Sequence, residues 1–539
     1  MPSQYSAFFI QIRVQYILLF CWIFVVANMA FAQQDEVPSE TSTAIVRNIR
    51  IDARDIFDPD ERVPLAGLIN FIHIRTQKKV IRRELLFQHQ NALDLSLIAE
   101  SERNLRALGI FTDVNIVTRK AASDSLQTRD KWTTKLNTTY RLVGGVHFWG
   151  VSLVEDNVFG LGKTIDIGYN HSSDRILRQV LYRDPRLLGS RFGGNVKAQN
   201  NSDFDTFEMS LSRPFFAWNT RWGFGLAFEN TKGVYRQFRD GELVAAPRLD
   251  ENALQMIFNL YRGDKLKRHL MFGYNRERSR VGDQRRQLNF FGIGFGVMGR
   301  QFQEMHNIDV YERTEDVPSG IVAEIALGAN VGSGGRSWKE TYLLGRFQYG
   351  HADHSSGYSF GTMLQTFYNG QHFRDEFSEG EARAFRKFGR HLLVGRVRFE
   401  RLAHFSVARQ LRLGDENGLR GYPLRARTGS KLLLFNFEDR VATNLKVLIF
   451  RLGLTAFADF GQVWETPEPV RLNNLNAAIG LGLRVGNARF TGAINRLDCA
   501  YNLSERKWRI SVSIGSYFSA YGKLDFLSDF QTNRLRADL

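Results

Sequence analysis

From Leu136 to Phe518 apolar and polar positions alternate, in segments of about ten residues parted by clusters of Gly, Asp, Asn and Ser. Thr164-Ile-Asp-Ile-Gly-Tyr169, Arg221-Trp-Gly-Phe-Gly-Leu-Ala-Phe228 and Tyr358 to Phe367 are examples. On the last segment Trp508, Ile510, Val512, Ile514 and Phe518 share one face, and Arg509, Ser511, Ser513 and Tyr517 the other. A strand with a greasy face and a wet face suits a barrel that closes on itself in lipid, where every backbone polar group must find a partner. The pattern predicts a mainly β protein whose bulk, residues 134–518, is a transmembrane antiparallel β-barrel. A soluble sandwich or propeller would alternate too, but these segments are long and end in aromatics. Depending on how short runs are split, about 16 to 19 strands can be counted, and single-chain bacterial barrels use even numbers.

Upstream the pattern changes twice. Ile45-Val-Arg-Asn-Ile-Arg-Ile-Asp52 alternates like a strand, whereas Lys79 to Phe87 and Leu95 to Leu108 carry apolar residues at helical spacing. Gly109 stands where a helix stop belongs. Val114 to Thr118 and Ser125 to Trp132 are further strand candidates, so residues 45–133 predict a small α+β domain. Residues 33–44, polar and acidic with Pro38, predict a linker. Ahead of it Arg13 is the lone charge before the apolar run Ile17 to Val26, and Ala30-Phe31-Ala32 is a small-x-small cleavage site. This layout predicts a secretory signal over residues 1–32.

Composition sharpens the picture. The 539 residues include 11 Pro, 47 Gly, 43 Phe, 17 Tyr and 8 Trp, a balance that suits long strands, which reject interior Pro. Mean hydropathy is −0.28, which excludes a polytopic helical protein but not alternating strands, since these spend only half their residues on lipid. Of two cysteines, Cys21 leaves with the signal and Cys499 remains alone, so no disulfide framework exists. The formal charge of +16 could suggest nucleic acid. On an exported barrel it points instead to anionic lipid headgroups, including lipopolysaccharide, and to a charged lumen.

Val80-Ile-Arg-Arg-Glu-Leu-Leu-Phe87, followed by Glu100-Ser-Glu-Arg-Asn-Leu-Arg-Ala-Leu-Gly-Ile-Phe-Thr-Asp-Val114, resembles the polypeptide-transport-associated (POTRA) domain of the BamA/TamA outer-membrane assembly superfamily, the bacterial surface antigen family. The resemblance implies a barrel of 16 strands in the bacterial outer membrane and one POTRA domain in the periplasm. The implied partners are an unfolded β-rich client or secreted protein met through that domain, and accessory periplasmic proteins.

A second stretch carries the same likeness. Leu411 to Pro423 is Gly-rich, and its tetrad Leu419-Arg420-Gly421-Tyr422 resembles the family motif on the sixth outer loop, which folds back into the lumen. An arginine there needs acidic partners, because an unpaired buried charge is costly. Alternation over Lys431 to Arg440 turns Glu438 inward, and over Phe450 to Trp464 it turns Asp459 inward. A planar guanidinium can bridge two such carboxylates, and Ala458 to Trp464 resembles the segment that meets the loop arginine in the family. Arg420, Glu438 and Asp459 are therefore the candidate lumenal cluster, structural and mechanistic rather than catalytic. The final strand, Trp508 to Phe518, resembles the family's closing strand. Residues 519–539 depart from that pattern as a C-terminal extension.

No catalytic constellation, cofactor or metal site is expected. Gly160-Leu-Gly-Lys-Thr164 has Asn157 where a phosphate-binding loop needs its first glycine, and His351-Ala-Asp-His354 has no third ligand. Two readings remain: a factor assisting insertion, assembly or translocation of other proteins, and a secretion pore or solute channel without insertase activity.

Overall fold

The computed structural model describes residues 41–45, 49–57, 66–87, 92–117, 124–172, 175–264, 266–330, 340–405, 407–448, 450–486, 494–514 and 517–522. The expected signal, most of the linker and residues 523–539 of the extension lie outside them.

The N-terminal module contains β1 (Thr41–Ile45), β2 (Ile49–Arg54), α1 (Ala66–Ile72), α2 (Lys78–Glu84), β3 (Ala92–Asp94), α3 (Leu95–Ala107), β4 (Phe111–Val117) and β5 (Asp124–Asp130). Its sheet runs β2-β5-β4, with β2 parallel to β5 and β4 antiparallel. The helical periodicity has its cause in the core: Val80 and Ile81 of α2 and Ile98 and Leu105 of α3 are buried with Ile51, Val114 and Ile116 of the sheet. Gly109, at φ +71°, takes the left-handed turn that ends α3. Two elements differ from expectation. Thr41–Ile45 forms a strand paired with β3 where a linker was expected. The short helix α1 was not anticipated, because seven residues carry too little periodicity to register.

The barrel has 20 strands, not 16. In chain order they are β6 (Thr134–Val143), β7 (Val146–Glu155), β8 (Thr164–Ser172), β9 (Ile176–Asp184), β10 (Gly193–Asn201), β11 (Phe204–Arg213) and β12 (Trp222–Val234). A hairpin of β13 (Gln237–Arg239) and β14 (Glu242–Ala245) then stands on an outer loop. Next come β15 (Arg248–Arg262), β16 (Lys267–Val281), β17 (Gln284–His306), β18 (Thr314–Asn330), β19 (Thr341–Ala352), β20 (Ser356–Tyr368), β21 (Phe373–Phe388) and β22 (His391–Ala403). A long outer loop carries the ribbon β23 (Leu411–Leu413) and β24 (Arg427–Gly429). The last strands are β25 (Lys431–Val447), β26 (Phe450–Trp464), β27 (Asn476–Gly486), β28 (Ile494–Asn502) and β29 (Lys507–Ile514). Each barrel strand is antiparallel to its neighbours. The undercount has a physical reason: β6 to β11 are only nine or ten residues each and alternate pairs of them are joined by two or three residues, so adjoining short runs merge when strands are counted from alternation.

The outer wall is apolar, as Phe291, Ile293 and Phe295 of β17 and Ile479, Leu481 and Leu483 of β27 are exposed at every second position. Inward positions such as Glu277, Glu324 and Arg346 are buried and charged. The lumen is not empty. Leu411, Leu413, Leu419 and Tyr422 of the long loop pack inside against Phe290, Tyr342, Phe367 and Leu434 of the wall.

The module sits under one rim. Glu84 of α2 takes two hydrogen bonds from Arg186 in the β9–β10 turn, one of them 2.7 Å from Nε. Glu100 of α3 accepts the Trp218 backbone N–H at 2.8 Å, and Arg106 of α3 donates to Asp316 of β18 at 2.8 and 3.0 Å.

Candidate functional site

The loop between β22 and β25 is the eighth outer connection, not the sixth, because the extra strands precede it. It turns into the lumen and sets Arg420 against β25 and β26. Those two strands pair Asn436 with Asp459, and alternation points Asn436, Glu438 and Asp459 inward together. Arg420 is fully buried. Its Nε and Nη2 grip Asp459 at 2.7 and 2.9 Å, its Nη1 reaches Glu438 at 2.6 Å, and its backbone N–H also donates to Asp459 at 3.2 Å. Asn436 Nδ2 adds a bond to Asp459 at 2.7 Å. Arg440 takes the other Glu438 oxygen at 2.6 Å.

The guanidinium lies between two rings, Phe457 at 3.6 Å and Tyr517 at 4.4 Å. Two carboxylates and two aromatic faces leave no side of the cation unpaired, which is what burial of an arginine requires. The remaining tetrad residues wedge this tip in place. Leu419 is buried in the lumenal core, and Tyr422 donates its hydroxyl to Ala477 O at 3.1 Å. Gly421 adopts φ +79°, where an added Cβ would stand 3.0 Å from that of Ala500, so glycine alone fits both backbone and space.

Sequence reasoning missed Asp415 of the same loop. Its carboxylate accepts the Gly144 backbone N–H in the β6–β7 turn at 2.8 Å and the Ser511 hydroxyl of β29 at 2.6 Å. One side chain thus spans the junction between last and first strands. That junction is sparse. Among the described residues it has one register pair, Val512 with Leu142, whereas β28 and β29 pair continuously from Asn495 with Ile514 to Asn502 with Lys507.

The cause lies in the closing strand, which departs from expectation at its end. Trp508 and Ile510 face outward as expected, but the strand stops at Ile514 and the chain turns into the lumen. Tyr517 stacks on Arg420 and donates to Asp415 O at 2.7 Å. Phe518, expected on the lipid face, is buried inside against Arg396 and Arg440. Ala520 N–H donates to Asp309 at 2.9 Å, and Arg383 donates to Tyr521 O at 2.8 Å. The antiparallel register would set Thr134 to Asn137 opposite Ala520 to Tyr517, which lie in the lumen, so among the described residues this end of β6 has no β29 partner.

Among the described residues no group of three or more His, Cys, Asp or Glu side chains could hold a metal ion. Gly160 to Thr164 belongs to a turn against the module, where Gln77 N–H donates to Gly160 O at 2.9 Å. His351 packs on the Tyr358 ring.

The chain is 31% identical over 147 residues to the outer membrane protein assembly factor BamA of Neorickettsia risticii. Over that stretch the sequence is similar to BamA. The match covers 26% of this chain and 18% of that much longer protein. No family profile matches the chain. Among solved structures, BamA from Haemophilus ducreyi lacking POTRA domains 1–3 gives a TM-score of 0.37 at 12% identity, covering 87% of this chain and 84% of that one. CdiB from Acinetobacter baumannii gives 0.41 at 10%, covering 88% and 74%.

Proposed function

We propose that this protein is an outer-membrane barrel that assists the insertion, assembly or translocation of other proteins, with its α+β module a single POTRA domain in the periplasm. The observation that carries the proposal is the junction between β29 and β6, joined by one register pair among the described residues. A strand with unpaired N–H and C=O groups is a template for another strand. An unfolded β-rich client, offered by the module on the rim below, would pair with the Thr134 to Asn137 end of β6 while the seam parts. The Arg420, Glu438 and Asp459 cluster holds the loop whose Asp415 spans that seam, so its role is to set how easily the seam opens. Accessory periplasmic proteins would dock on the module, and lipid and lipopolysaccharide would surround the barrel.

Reconstitution tests this reading. Purified protein in liposomes should accelerate folding of a reporter barrel, and a disulfide joining L142C to V512C should abolish the acceleration until reductant is added. A locked seam with undiminished activity would sink the proposal. The competing reading is a secretion pore or solute channel. The loop and the C-terminal strap inside the lumen weigh against free passage of solutes, and steady conductance without any effect on reporter folding would favour that alternative.

A further inference from the structure

Beneath the Arg420 cluster, toward the module side of the barrel, lies a second lumenal feature, a cavity of about 190 Å³. That is several times the ~30 Å³ a water takes up in the liquid. Lys387, Arg390, Arg440, Arg451 and Arg484 line it, and Glu438 is the only carboxylate among its lining residues. Glu438 is already engaged by Arg420 and Arg440.

The donors here are not used up. Arg484 gives Nη1 to Asp498 at 2.6 Å, but its Nη2 is buried and makes no hydrogen bond among the described residues. Arg451 Nε and Thr455 Oγ1 are in the same condition. Arg484 is 5% exposed and Thr455 1%. Burying such groups without acceptors is costly, and an arginine cannot escape by losing its proton. All three residues line one cavity, and β26 brings two of them to one face because Arg451 and Thr455 are four residues apart on a strand. Arg390 lies exposed in the turn between β21 and β22, so the cavity meets water at the rim.

We propose that this cavity is a binding site for a phosphate-type oxyanion, held by Nε of Arg451, whose Nη2 lies 3.6 Å from Glu312, by Nη2 of Arg484 and by the Thr455 hydroxyl. A tetrahedral oxyanion presents acceptors in several directions at once, which suits two guanidinium groups and a hydroxyl converging from neighbouring strands. The anion can arrive as free phosphate or as the phosphate of a lipid headgroup reaching the rim.

The test uses full-length protein in detergent, titrated calorimetrically with inorganic phosphate against sodium chloride at equal ionic strength, and separately with a short-chain phosphatidic acid. Saturable binding of either ligand is expected, and the arm that responds identifies the source. Arg451→Gln should weaken it by at least about tenfold and Thr455→Val by roughly threefold to tenfold, with Arg451→Lys between wild type and Arg451→Gln. Arg178→Gln, on the far wall, should bind as wild type. Heat-modified gel migration checks that each barrel is folded. Flat titrations in both arms, or binding equally strong in Arg451→Gln and Thr455→Val, would overturn the proposal.

Discussion

Two arginine groups share one lumen and solve burial in opposite ways. Arg420 has two carboxylates, a bidentate grip and a ring on either face. Arg451 on β26 and Arg484 on β27 each keep a buried donor that no described residue accepts. The first group is complete within the chain, so it acts as a structural tie. The second is incomplete, so its natural complement is something that comes and goes. Saturation of hydrogen-bonding capacity, more than charge or depth, separates a strut from a receptor.

Removing the tie should have the largest effect. Arg420→Ala leaves Asp459 and Glu438 buried without their main donor and should cost about 3 to 5 kcal/mol, read as a lowered urea midpoint of the folded barrel in micelles. A midpoint equal to wild type would break the contrast. Arg420→Lys keeps the charge but loses the fork, and should fall between the two.

A buried cation outside the membrane sharpens the point. Lys131, between β5 and β6, is held by burial at a pKa of about 8, below its usual 10.5. Unlike an arginine it can shed its proton. Between those two values the unfolded chain binds more protons than the folded one, so stability rises with pH across that window. Lys131→Met should therefore stabilise the protein by about 2 to 3 kcal/mol at pH 7. The gain should fall steadily above pH 8 and vanish near 10.5. A gain that is flat with pH would mean that packing, not charge, is responsible.

Asp415→Asn is expected to cost about 1 to 2 kcal/mol, because an amide can keep only part of the bridge between Gly144 and Ser511. Its clearest signature would be faster opening of the seam, measured as access of a thiol reagent to V512C. The smallest effect belongs to the incomplete group. In the absence of phosphate, Thr455→Val should change stability by less than about 1 kcal/mol, since the hydroxyl it removes makes no bond among the described residues.

Strand alternation was legible because it has a period of two. It was enough to turn Glu438 and Asp459 inward, and adjacency in the chain made β25 and β26 neighbours. That Arg420 reaches them could be argued only from family likeness, since a loop's return path leaves no periodic trace. Asp415 and Arg440 went unread for the same reason: their partners lie up to 271 positions away. The strand number failed where lengths vary, from the eight residues of β29 to the 23 of β17. The end of β29 failed at Phe518, which is as apolar as a lipid-facing residue, and only the cations Arg396 and Arg440 waiting in the lumen mark it as inward.

The inward turn after Ile514 has a consequence for how the molecule is made. Tyr517 to Gly522 leave the ribosome after every strand, yet they fill the middle of the finished barrel. A chain cut short at Ile514 would possess all twenty strands and still lack the ring over Arg420, the support beneath Asp415 and the filling of the lower lumen. Tyr517 to Gly522, after the last strand, thus belong to the lumen's filling as fully as the loop that carries Arg420.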